Sequence, residues 1–187
     1  MRRFLLLAST LSLLFLSGTQ AAQATAGSGT FHWEAGAGIV CSVEATACPD
    51  VARASNGDTF SLMAQGDLDT ANGASGGGTF EHRTAVGTLV ATGTLTATGL
   101  LTFIPYGCGG GGFPPNLCGG RAALAVHLVA HPTSNPSATV QADGILEVEC
   151  LIGNPPGGAM EGIRLNVKDR INFNKSVSGD TLFIKTS

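Results

Sequence analysis

Four histidines and a few nearby carboxylates are the side chains with which this sequence could do chemistry: His32, His82, His127 and His131. In Phe80-Glu81-His82-Arg83 a carboxylate, an imidazole and a guanidinium are consecutive, which is material for proton transfer or for a metal ligand set. His127 and His131 are four apart. On a helix that spacing puts both rings on one face, whereas on a strand it separates them by about 13 Å. His82, His127, Glu81 and Arg83 therefore form a candidate pocket only if the fold gathers them, with Glu34, two residues after His32, as a further oxygen ligand for zinc.

A second cation site is conceivable at Asp67-Leu68-Asp69-Thr70-Ala71-Asn72-Gly73, where oxygens at alternate positions precede a glycine, as in half of a calcium loop. Ala71 stands where a ligand is needed and no distal glutamate follows at the right spacing, so an acidic turn is the simpler reading. No cofactor is predicted; zinc and calcium are the only ones for which ligands can be named. Gly73-Ala74-Ser75-Gly76-Gly77 fits the serine-nucleophile pattern G-x-S-x-G, but without the strand-turn-helix context that exposes such a serine it reads as a turn. Thr92, Thr94, Thr96 and Thr98 form one hydroxyl row. It resembles the flat threonine faces of ice-binding proteins, but such faces repeat over several strands, so a solvated strand face is preferred. Trp33 and Tyr106 are the only Trp and Tyr with which a sugar ring could stack, and Asn174-Lys175-Ser176 is the one proline-free glycosylation sequon.

Five cysteines allow two disulfides and one leftover thiol. Cys108 and Cys118 bound a loop with four consecutive glycines, and closing about ten residues is worth roughly 3 kcal/mol. For the second bond, alternation puts Cys41 on a face with Ile39 and Val43, and Cys150 on a face with Leu146, Val148 and Ile152, which favours Cys41–Cys150. Cys41–Cys48 is the competing choice, with Cys150 then a buried thiol. There is no C-x-x-C spacing for a metal.

The elements that must position these groups are strands. Between Val86 and Thr98 one set of alternate residues is hydroxylated or Val and the other is Gly, Leu and Ala, the period of two that marks a half-buried strand. The same test places strands near 29–35, 38–45, 58–67, 79–84, 86–97, 100–105, 121–130, 138–142, 145–152, 162–168, 170–174 and 180–186. Asp143-Gly144 reads as a two-residue hairpin turn, and Arg121–His131 as a central strand buried on both faces. Short connections exclude parallel crossovers. The expected fold class is all-β, one antiparallel β-sandwich or β-barrel domain with disulfide-closed Gly/Pro-rich loops.

Met1-Arg2-Arg3, the apolar run from Phe4 to Leu16 and the small residues up to Ala26 have the layout of a secretory signal peptide. Residues 1–24 are assigned to it and 25–187 to the β domain, which predicts a secreted or periplasmic protein with no stable membrane span after cleavage. Losing Arg2 and Arg3 changes the formal net charge from −3 to −3 − 2 = −5. An acidic chain without a basic cluster gives nucleic acid no footprint, so it is dropped as a partner. The expected function is an exported binding or structural module, more a binder than an enzyme, for an unknown extracellular or periplasmic ligand. Its contact surface is expected on loops 106–119 and 153–161, around Tyr106, Phe113, Asn116 and Asn154. The alternative is a small β-barrel ligand binder or enzyme using the His/Glu pocket.

Overall fold

The computed structural model describes residues 29–187, so the leader-like segment and its cleavage triplets lie outside the described residues. Alternation resolves into twelve strands: β1 (Thr30–Ala35), β2 (Asp50–Arg53), β3 (Thr59–Asp69), β4 (Gly73–Ala74), β5 (Gly77–Arg83), β6 (Leu89–Gly110), β7 (Phe113–Pro132), β8 (Val140–Cys150), β9 (Gly162–Val167), β10 (Ile171–Phe173), β11 (Lys175–Ser178) and β12 (Thr181–Lys185). Every pairing is antiparallel. β1 pairs β3, β3 pairs β5, β5 pairs β6, β6 pairs β7, β7 pairs β12, and β12 returns to β1. Hydrogen-bonded pairing thus closes a six-stranded ring, which removes the exposed edges an open sheet would present. Two flaps extend it: β2 and β11 beyond β3, and β8, β9 and β10 beyond β7. They meet where Asp50 of β2 accepts a hydrogen bond from the Ile163 amide of β9 at 3.3 Å.

One continuous apolar cluster fills the interior, with Trp33, Phe60, Phe173, Phe183, Leu62, Leu124 and Ile163 almost fully buried. Each such side chain contributes roughly 1.5–3 kcal/mol of transfer free energy. Trp33 donates its indole N–H to the Ser75 carbonyl at 3.1 Å, so it belongs to the core and offers no stacking face.

Four local readings change. Residues 39–43 form a short helix, α1 (Ile39–Val43), followed by a 3-10 turn at Ala45–Ala47, because a disulfide within the segment draws the chain into a tight bend. The expected strands 86–97 and 100–105 are one strand, β6, whose register shifts four times against β7. Bulges of this kind let a long strand coil around a barrel while interrupting its alternation. Asp143-Gly144 is no turn: it lies inside β8, opposite His127 and Val126. A Cβ on Gly144 would come within 2.6 Å of the Asn166 carbonyl of β9, so the glycine serves close approach of strands. The tight turn is instead Gly111-Gly112, both at positive φ, between Gly110 and Phe113. Finally, β7 is central, but only its even face, Ala122 to Leu128, is fully buried.

Candidate functional site

At one end of the barrel α1 and the tip of the β6–β7 hairpin stand beside each other, and both are pinned by disulfides. Cys41–Cys48 closes α1 onto the chain that follows it, and Cys108–Cys118 joins residues directly opposite one another on β6 and β7. Closing loops of this length is worth about 2–3 kcal/mol each against the unfolded chain. The bond expected between Cys41 and Cys150 does not form. With residues 39–43 coiled into a helix, Cys41 leaves the strand face it would have shared with the core and meets Cys48. Cys150 is a free buried thiol.

Between these two pinned elements lies a groove of about 370 Å³. Ile39, Val40 and Val43 of α1 form one wall, Phe113 and Leu117 of the hairpin another, and Cys150, Ile152 and Leu182 line it further in. Val43 is 81% and Phe113 52% exposed, which is unusual for side chains held this firmly. The polar lining is acidic: Glu44, Glu161 and Asp180 with Thr181, and no lysine or arginine.

Each carboxylate is positioned differently. Glu44 lies on the surface and is held below its ordinary value by hydrogen bonds from the Thr46 hydroxyl and amide, so it carries charge. Glu161 accepts from the Thr181 amide and hydroxyl and from the Leu151 amide, but burial pushes its pKa up. Asp50, fully buried close by, is pushed up to about 7 by burial, against the Ile163 amide bond, with Glu161 and Asp180 adding repulsion. Burial, reinforced by Glu161, raises the Cys150 thiol to about 12. Such a thiol is a poor nucleophile. Iodoacetamide at pH 8 is therefore expected to leave Cys150 unmodified in the folded protein and to label it on unfolding; rapid native labelling would mean that the groove floor opens.

Of the two segments expected as loops, 106–119 is the paired end of the β6–β7 hairpin and 153–161 is a loop, and the two meet beside this groove. The Asn154 amide donates to the Tyr106 carbonyl at 2.8 Å. Tyr106 Oη donates to Glu149 at 2.5 Å, and Glu149 also accepts from Arg164 Nη2, while Arg164 Nε donates to Glu147 at 2.8 Å. Tyr106 is thereby buried, and its hydroxyl is pushed up to about 12 by burial and by Glu149. Burial acts to raise Glu149, but the Tyr106 and Arg164 bonds prevail and hold it below its ordinary value. Asn116 and Asn154 are exposed and do not line the groove.

The histidine pocket is not assembled. His82 points with Phe80 into the barrel's other end and pairs with Asp58 at 3.1 Å. Glu81 and Arg83, on the opposite face of β5 by alternation, pair with each other at 2.7 Å. His127 lies on the outer face of β7 and pairs with Asp143 at 2.8 Å, and His131 bonds the Ala138 carbonyl. His32 pairs with Asp67 at 3.1 Å and approaches Glu34 at 3.8 Å. Among the described residues no three His, Cys, Asp or Glu side chains are placed to share a metal ion. Asp69 folds its own turn, accepting from the Ala71 and Asn72 amides.

Fold and groove together define an antiparallel, disulfide-pinned β-barrel with an exposed apolar cleft rimmed by acids. No family model matches this chain, and no curated protein or solved structure shows detectable similarity to it.

Proposed function

We propose that the protein is an exported binding module whose groove takes an apolar segment of a partner carrying lysine or arginine. The observation that carries this reading is the set of exposed apolar side chains, Ile39, Val43 and Phe113, held by two disulfides around carboxylates that make no ion pair among the described residues. Apolar surface supplies affinity, and the acidic rim selects positive charge and speeds encounter. The disulfides remove ordering cost at binding, since both walls are already fixed. A second copy of the chain is a poor occupant, because a symmetric contact would set Glu44 and Asp180 against their own equivalents. The two disulfides support a secreted or periplasmic setting.

A labelled peptide alternating leucine and lysine should bind by fluorescence anisotropy, more weakly in high salt. A leucine–glutamate peptide should not. Val43→Asp and Phe113→Ser are each expected to weaken binding at least about tenfold, or 1.4 kcal/mol. Equal binding of both peptides, or groove variants that bind like wild type, would remove the proposal.

A further inference from the structure

At the other end of β7 the barrel interior opens into a second cavity of about 320 Å³ between β3, β5, β6, β7 and the β8–β10 flap. Its walls are Phe60, Phe80, Leu128 and Phe173 with smaller aliphatic side chains; every lining residue is apolar except His82 and Arg170. The imidazole is fixed, with Nε2 on Asp58 and its edge against the Phe173 ring at 5.5 Å. Arg170 sits in the exposed turn between β9 and β10 and makes no ion pair among the described residues. The cavity is therefore apolar inside and carries one uncompensated cation at its lining.

We propose that this cavity binds a small molecule with an apolar chain or ring and a single carboxylate, the chain among the phenylalanines and the carboxylate on Arg170. Size supports this, because ligand pockets in the mouths of β-barrels begin near 300 Å³ and are lined mainly by apolar groups with a few polar anchors. Charge supports it too, since a guanidinium presents a planar fork that matches a carboxylate and Arg170 makes no ion pair among the described residues. The opposite chemistry, an apolar cation, would meet Arg170 as a like charge.

The test uses straight-chain carboxylates from butanoate to dodecanoate, with decanol as the neutral control, measured by calorimetry on the full mature protein. Affinity is expected to rise about fourfold per added methylene, the equivalent of about 0.8 kcal/mol, and to level off once the cavity is full. Arg170→Gln, an exposed change, should weaken decanoate at least about fivefold and leave decanol within twofold. Ala142→Leu, which fills the cavity from β8, should weaken both. No binding of any acid, affinity that keeps climbing with chain length, or an Arg170→Gln variant indistinguishable from wild type would overturn it. The groove variants Val43→Asp and Phe113→Ser should bind decanoate normally, so this proposal and the peptide-binding reading fail separately.

Discussion

Between pH 5 and pH 8 the folded protein is expected to lose about 3 kcal/mol of stability, and Asp50→Asn is expected to abolish most of that loss. Asp50 is fully buried, accepts one hydrogen bond on Oδ1 and leaves Oδ2 buried without a partner. Burial therefore favours its protonated form, with a value of about 7 against 3.8 in the open chain. A carboxyl raised in this way holds a proton in the native state that the unfolded chain has released. Its stabilisation is complete below the unfolded value and disappears as pH rises through about 7; the whole gap from 3.8 to 7 at about 1.36 kcal/mol per unit is about 4 kcal/mol, and the part of it above pH 5 is about 3 kcal/mol. Glu161, also raised, adds a loss of the same sign. Asparagine imitates the protonated acid. At pH 8 the variant should be more stable than wild type by about 4 kcal/mol, and near pH 3, below the unfolded value, the two should coincide in urea denaturation. A wild-type profile that is flat from pH 5 to 8 would refute the assignment.

Sequence patterning carried the fold class because β propensity and alternation act locally. Phe80 and His82 on one side of β5, with Glu81 and Arg83 on the other, follow from period two alone, as does the exposed Thr92–Thr98 row of β6. What alternation cannot report is which strand lies opposite. Asp143-Gly144 has the composition of a turn, yet β7 and β9 flank it on either side and keep it extended. Gly111-Gly112, hidden in a run of four glycines, is the turn instead. The groove was half legible. Its Phe113 stands in the Gly/Pro-rich segment 106–119 whose composition already marked it, although that segment is the end of the β6–β7 hairpin and not a loop, and Cys108–Cys118 follows from loop entropy. α1 was missed because Ile39-Val40-Cys41-Ser42-Val43 is rich in β-branched residues. Its helical turn is held from outside its own sequence, by the disulfide to Cys48 and by buried Glu34 accepting from the Val40 amide at 3.3 Å. The cluster of Tyr106, Glu147, Glu149 and Arg164 draws on three strands, with Tyr106 43 residues from Glu149 and Arg164 another 15 beyond it, and no spacing rule finds it.

That cluster is where a single substitution should do most damage. Glu149 is about 3% and Arg164 about 13% exposed at their side chains, so their pairing takes place largely out of water. Glu149→Ala removes one carboxylate and leaves the buried guanidinium with Glu147 alone, while its Nη1 already lacks a partner. Breaking one side of a buried pair costs about 3–5 kcal/mol, whereas replacing the whole group by apolar side chains of similar volume is often neutral. The expected result is that Glu149→Ala lowers the free energy of unfolding by that amount, and that the triple variant Tyr106→Phe, Glu149→Met, Arg164→Leu recovers most of it. Because the native carboxylate is held below its ordinary value, wild type should also lose this contribution as pH falls below about 4.5, on the acid side of the Asp50 window. The single variant should also loosen loop 153–161, since Glu149 holds the hydroxyl of Tyr106, whose carbonyl in turn accepts from the Asn154 amide, and proteolysis at the exposed Gly157-Gly158 reads that directly. Glu161, at the end of that loop, lines the groove. If the cluster serves to hold the loop for the groove, Glu149→Ala should weaken the lysine peptide as well, and the apolar triple variant should restore stability without fully restoring binding. Equal recovery of both would leave the cluster a purely structural brace.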